Sequence, residues 1–435
     1  MSFEKGFMTG AATAAHQVEG NNTHSDYWLQ EQMPHSSFTE PSGIACDHYN
    51  RYEEDIKMLA KAGLNAYRFS IEWARIEPEE GHFDVVELDH YRKVIRCCRE
   101  NGVEPVVTLM HFTSPAWLIR KGGWEAESTI GYFERYAAYI AENLGADLKY
   151  ICTINEANMG LQLAAIAKRY TLMAQQAAKA AQSGAAKSAK SAEGTVQVGM
   201  NFEKMMENMK YAAMENAQAF GTPQPQIFVS SRTAEGDILV MRAHQAAKVA
   251  IRKAAPLVKV GITLSMHDIQ AAEGGAEAAK AAWNEEFTHY LPYLEGDDFL
   301  GVQNYTRSVY GPDGLMPAPA GAELTQMDYE FYPQALENVI RKVAEGFKGN
   351  LIVTENGIAT ADDSRRCEFI KQALAGVERC IKDGIPVKGY FYWSLMDNFE
   401  WQKGFAMQFG LVAVDRKTME RTAKPSLALL GSFAK

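Results

Sequence analysis

Leu351-Ile352-Val353-Thr354-Glu355-Asn356-Gly357 is a short apolar, β-branched run that ends on a carboxylate, an amide and a glycine. Such a run reads as a buried strand of a parallel sheet. The strand is predicted over Leu351–Thr354, with Glu355 at its carboxyl end. Thr153-Ile154-Asn155-Glu156 reads the same way, at the end of a strand predicted over Leu148–Ile154. The two segments lie in different halves of the chain, and only a closed barrel brings both strand ends to one mouth.

The chain on either side repeats this unit. Strands are predicted at Phe7–Ala11, Asn65–Ile71, Glu104–Met110, Lys259–Ser265, Phe299–Tyr305 and Val387–Trp393. Amphipathic helices are predicted at Asp47–Ala62, Leu88–Glu100, Ile130–Asn143, Ile238–Ala255, Ala276–Tyr290, Pro333–Phe347, Arg365–Asp383 and Pro425–Phe433, with Gly63 and Gly102 placed as stops. Alternating strands and helices make a parallel sheet, and eight of each make one (β/α)₈ barrel of the α/β class. A single catalytic domain over residues 1–435 is therefore expected. Residues from about 160 to 235 exceed an ordinary strand-to-helix loop. They are read as an inserted helical or partly disordered segment after strand four. Within it, Ala177–Ala192 is almost entirely Ala, Lys, Ser, Gln and Gly, the composition of a solvated helix or excursion. The same segment could also serve as a lid over the mouth or as an oligomer contact.

Composition narrows the partners. With 47% hydrophobic and 23% charged residues the chain is an ordinary globular protein. Its net charge of −10 argues against nucleic acid or an anionic membrane surface. No basic-then-apolar leader or membrane-length apolar run is present, and the six cysteines lack metal-type spacing. Reduced thiols in a cytoplasmic protein are the expectation. His16, His24, His35 and His48 have no defensible ligand spacing, and no glycine loop is shaped for phosphate. No metal or organic cofactor is expected.

Cleaving a glycosidic bond needs two carboxyl groups on opposite sides of one carbon. Glu156 and Glu355 are candidates, although either alone reads more readily as a surface ion-pair partner. Five stretches, the two already quoted among them, bear on the choice. These are Gly10–Gly20, Tyr67–Ile76, Thr153–Glu156, Val353–Gly357, and Tyr392–Trp401 followed by Phe409-Gly410-Leu411-Val412. In this order they resemble the motifs of glycoside hydrolase family 1, the β-glucosidase family, from near residue 5 to about 425.

The resemblance implies a retaining exo-β-glycosidase acting on small β-glycosides or oligosaccharides, most simply a β-glucosidase. Glu355 would be the nucleophile and Glu156 the acid/base, with Arg68 and Tyr305 beside the nucleophile. Gln17, His111, Asn155 and Glu400 would hydrogen-bond sugar hydroxyls, Asn155 at the 2-OH. Trp393 and Trp401 would flank the ring, with Phe409 and Trp117 as further neighbours, while Trp124 stays ambiguous between site and core. Glu400, contacting O4 and O6, disfavours a 6-phosphate, and Glu156 in place of a glutamine points to O-glycosides. A β-galactosidase or β-fucosidase is the nearest rival. A sugar-binding protein without turnover and a metal-assisted barrel enzyme are more distant ones. A second copy of the chain is a candidate partner.

The sequence departs from the family in places. Ala157 stands where proline is usual, which predicts a less tightly oriented Glu156. Thr9 replaces a common tryptophan, and Gln303-Asn304 replaces the usual Asn-Tyr pair before Tyr305.

Overall fold

The computed structural model describes residues 3–168 and 198–434. Eight parallel strands close on themselves: β1 Met8–Ala12, β2 Ala66–Ser70, β3 Glu104–Met110, β4 Tyr150–Ile154, β5 Lys259–Ser265, β6 Phe299–Gln303, β7 Asn350–Asn356 and β8 Val387–Trp393. Each pairs with its sequence neighbours, and β1 pairs with β8 through Met8↔Gly389 to Ala12↔Trp393. The chain therefore forms a (β/α)₈ barrel.

Alternation along the strands sorts side chains into two layers. Met8, Ala12, Ala66, Val106, Cys152, Phe299, Ile352 and Phe391 pack together inside the barrel. Val260, Ile262 and Leu264 of β5 and Tyr67 and Phe69 of β2 join the cluster under the helices. Those helices are α1 His48–Lys61, α2 Val85–Glu100, α3 Ser128–Leu144, α4 Ala234–Ala254, α5 Ala276–Glu286, α6 Ala335–Gly346, α7 Asp363–Lys382 and α8 Pro425–Ser432. Side-chain caps set several of their starts. Asp84 accepts from the Val86 and Glu87 N–H groups, and Thr233 from that of Gly236. Capping explains why α2 and α4 begin three and four residues before the periodicity does.

Three other expectations are corrected. Strand six stops at Gln303 rather than Tyr305: the Asn304 N–H still reaches Glu355 O of β7 (3.2 Å), while its side-chain amide turns to Met266 O and Thr306 O. The helix expected to reach Tyr290 ends at Glu286 and continues as a 3₁₀ segment, Thr288–Tyr293, which contains Pro292. Two small sheets were not foreseen: Asp268–Ala271 with Arg307–Gly311 and Gly314–Leu315, and the hairpin Val412–Val414/Arg421–Ala423. Between β4 and α4, residues 159–168 are helical, and a second helix covers Phe202–Phe220. The Ala-rich stretch at 177–192 lies outside the described residues. No described helix is long and apolar enough to cross a membrane.

The hairpin is fastened to the barrel by buried charge. Arg421 donates to both oxygens of Asp55 in α1 (2.8 and 3.0 Å) and to Cys46 O (2.7 Å). Asp55 also meets His48 Nδ1 (2.7 Å), whose Nε2 meets the Tyr67 hydroxyl of β2 (3.0 Å). Burial alone would raise the Asp55 carboxyl, but His48 and Arg421 outweigh it and hold it below its usual value. This group therefore stabilises the fold above the ordinary carboxylate pKa, and that stability is lost as pH falls through the lowered one. Arg421→Met leaves buried Asp55 with His48 alone and is expected to cost about 3–5 kcal/mol. Thermal unfolding followed by circular dichroism checks this; a midpoint moved by less than about 1 °C would exclude it.

Candidate active site

At the carboxyl end of β7 a register shift between Val353 and Glu355 interrupts the alternation, in β7's pairing with β6. Such irregularities re-aim a side chain, and Glu355 points to the barrel mouth, where Arg68 from β2 meets it. Arg68 Nη1 donates to Glu355 Oε1 (2.6 Å), and the Tyr305 hydroxyl donates to Oε2 (2.5 Å). Arg68 has no solvent exposure, so this is a buried ion pair. The neighbouring Gly357 has no room for a side chain: a Cβ there would lie 2.0 Å from Trp393 O.

Arg68 also organises Asn155. Its Nη2 donates to Asn155 Oδ1 (2.6 Å), which further accepts from Gln303 Nε2 (2.8 Å) and Thr263 Oγ1 (3.2 Å). With its carbonyl oxygen thus occupied, Asn155 turns its amide nitrogen to His111 Nε2 (3.2 Å). The imidazole accepts there, so its proton sits on Nδ1, which is buried without a partner among the described residues. Burial, and then the Arg68 charge, hold the His111 pKa well below its usual value, so the ring is neutral.

Glu156 is bound differently. Its backbone lies in the left-handed region at φ 45°, a conformation found at functional sites more often than elsewhere. Its N–H donates to Thr263 Oγ1 (3.0 Å), while carboxyl Oε2 has no partner among the described residues. Burial pushes this carboxyl well above its ordinary pKa, and the Glu355 charge pushes it further. Burial raises Glu355 too, and Arg68 and Tyr305 offset only part of that rise. Of the two, Glu156 is pushed further toward its protonated form, since Glu355 alone has a cation and a hydroxyl donor on it. Ala157 donates its N–H to Thr263 O (3.1 Å), a bond that proline cannot make. The turn that the family stiffens with a ring is tied here to β5.

The rest of the mouth comes from the segments that follow β1 and β3, the end of β8 and the chain beyond it. Gln17 Nε2 donates to Phe399 O (2.7 Å) and faces Glu400 Oε2 (3.4 Å), leaving its own Oε1 unpartnered among the described residues. Trp393 and Trp401 lie nearly parallel to His111, with ring centroids 5.6 and 6.3 Å away. Phe409 meets Tyr305 edge-on at 6.1 Å. Trp117 is a correction: its indole N–H goes to Glu77 O and its ring packs on Trp73 and Tyr132, away from the mouth. Trp124 is core as well, donating to Ser114 Oγ (2.9 Å).

Thr263, Gly199 and Tyr329 are contributors that the sequence reading missed. Tyr329 is buried against Tyr305 with its hydroxyl unpartnered among the described residues. Thr263 had a weak signal, a hydroxyl in an otherwise apolar strand.

Burial raises the Glu400 carboxyl to about 8, against the Gly199 N–H and Gln17 and with help from the Glu355 charge. The folded protein thus keeps a proton that the unfolded chain releases near pH 4.5. This group's contribution to stability declines as pH rises between those values. Glu400→Gln removes the effect. Its stability relative to the unmodified protein is expected to be higher at pH 8 than at pH 5 by about 2–4 kcal/mol. Urea unfolding at both pH values checks this, and an equal difference at the two would exclude it.

A buried ion-paired carboxylate and a carboxyl with a raised pKa share one barrel mouth, ringed by neutral amide, imidazole and indole groups. That arrangement defines a glycoside hydrolase. The chain belongs to glycosyl hydrolase family 1, whose profile matches residues 1–219 and 304–435. It is 30% identical to β-glucosidase A of Acetivibrio thermocellus over 98% of this chain and 96% of that protein. Among solved structures, the β-glycosidase BGL167 is similar at 44% identity and a TM-score of 0.85, covering 99% of this chain and 97% of that one. The apo β-glucosidase 1317 is similar at 39% identity and a TM-score of 0.84, covering 99% and 98%.

Proposed function

We propose that this enzyme is a retaining, exo-acting β-glucosidase, with one catalytic domain that carries an inserted segment at about 160–235. The observation that carries the reading is the unequal treatment of two buried glutamates. Glu355 is held ionised by Arg68 and Tyr305. Glu156 has a raised carboxyl and an unpartnered oxygen.

In the first step a Glu355 oxygen attacks the anomeric carbon, the C1–O bond to the leaving group breaks, and Glu156 gives its proton to the departing oxygen. Esterification removes the Glu355 charge, so Glu156, now ionised, loses its reason to hold a proton tightly. It then takes a proton from water; the water oxygen bonds C1 and the bond to Glu355 breaks. Two inversions give net retention. His111 Nδ1–H, the second Asn155 amide proton, Gln17 Oε1 and Glu400 supply donors and acceptors for hydroxyls, and Trp393 and Trp401 supply apolar faces. The unpaired state of all six cysteines supports a reducing, cytoplasmic setting.

The test is turnover of an aryl β-glucoside beside the galactoside, fucoside and 6-phosphoglucoside, with the first-formed anomer read by NMR. Preferred glucoside turnover releasing β-glucose is expected. Release of the α-anomer overturns retention, and preference for the galactoside or fucoside replaces the glucosidase reading, since Gln17 and Glu400 can serve either O4 epimer.

A further inference from the structure

Residues 198–201, which lead into the helix Phe202–Phe220, cross directly over Glu400. The Gly199 N–H donates to Glu400 Oε1 (3.0 Å). The Gln402 N–H donates back to Gly199 O (2.9 Å), and the Asn201 N–H donates to Gln402 Oε1 (2.8 Å). The far side is anchored too. Asn201 Oδ1 caps the helix at the Lys204 N–H (3.2 Å), and Lys204 Nζ reaches Phe38 O (2.8 Å). Val198, Gly199 and Met200 are all buried.

Position 199 has no space for a side chain. A Cβ there would lie 2.4 Å from Glu400 O, 2.9 Å from its Cγ and 3.0 Å from Oε1. Glycine is required by this close approach, because its φ lies outside the left-handed region.

We infer that Gly199 is a specificity-determining residue of the glycone subsite. Its N–H occupies one oxygen of Glu400, so the carboxyl offers the sugar the other, Oε2, in a fixed orientation beside Gln17. The main chain at 198–200 closes the pocket beyond it, as a wall across the C4/C6 end of the sugar. The glycone class this admits is a terminal hexopyranose with free 4- and 6-hydroxyls. Substituents on either oxygen, neutral ones included, meet backbone. The inference rests on the proposed role of Glu400 at O4 and O6.

The test compares two ligands by calorimetry, so that it needs no turnover: 1-deoxynojirimycin and its analogue lacking the C6 hydroxymethyl group. The unmodified protein is expected to prefer the former. In Gly199→Ala the added methyl displaces Glu400, and that preference is expected to fall by about tenfold or more, mostly through weaker binding of 1-deoxynojirimycin. Gln402→Ala, which frees the Asn201 N–H without adding atoms, is expected to move the preference the same way by less, and it decides the matter if Gly199→Ala does not fold. An unchanged preference, or parallel loss of both ligands, overturns the inference, as does failure of both to bind the unmodified protein. Turnover of the aryl β-glucoside by that protein reports separately on the parent reading.

Discussion

Glutamine at position 355 is expected to lower kcat/KM for an aryl β-glucoside by at least about a thousandfold. The amide keeps the shape of Glu355 and a partner for Arg68 and Tyr305, yet it lacks the charge that attacks the anomeric carbon. The loss should be the same for good and poor leaving groups, because no covalent intermediate forms with either. It should also come without a comparable loss of 1-deoxynojirimycin binding. Residual activity within about tenfold of the unmodified protein, in a preparation free of contaminating glycosidase, would remove Glu355 from the role of nucleophile.

Glu156→Gln should produce a different pattern. General acid catalysis contributes about 10²–10⁴-fold, and only where the leaving oxygen needs a proton. A dinitrophenyl glucoside leaves unaided, so its first step should stay fast while the covalent intermediate accumulates and KM falls. An alkyl glucoside should be nearly inert. The pH profile gives an independent reading. The protonated Glu156 carboxyl is the active form in the first step, so kcat/KM should decline as pH rises through its raised pKa. That basic limb should vanish in the variant. Equal losses on both substrates, with the limb intact, would assign the proton to another group.

Much of this arrangement could be read before any coordinates. β3, β5 and β8 begin and end at the expected residues, because past its first two residues each is buried on both faces and nothing else competes for those residues. α2 was read short because Val85 and Val86 face solvent, so the start depends on the Asp84 cap and not on periodicity. The proposed catalytic pair was legible as two carboxylates at strand ends, and the contacts of Arg68 and Tyr305 with Glu355 only through family motifs. The shared acceptor at Asn155 Oδ1 was not legible, since Thr263 and Gln303 reach it from strands far along the chain. Gly199 was hidden for the same reason. The words Val-Gly-Met carry no pattern, and the residue's meaning comes from Glu400, with which it has no sequence relation.

The pairing of β1 with β8 has a consequence for biosynthesis. Residues 8–12 can complete their hydrogen bonding only when residues 387–393 have left the ribosome. At ordinary translation rates of about 5–20 residues per second, that leaves one edge of the nascent sheet uncovered for roughly 20–80 s. Met8-Thr9-Gly10-Ala11-Ala12 carries no charge to discourage a stray strand from pairing there. Yield in the cell should therefore depend on how quickly the last strand arrives and on chaperones that shield the first.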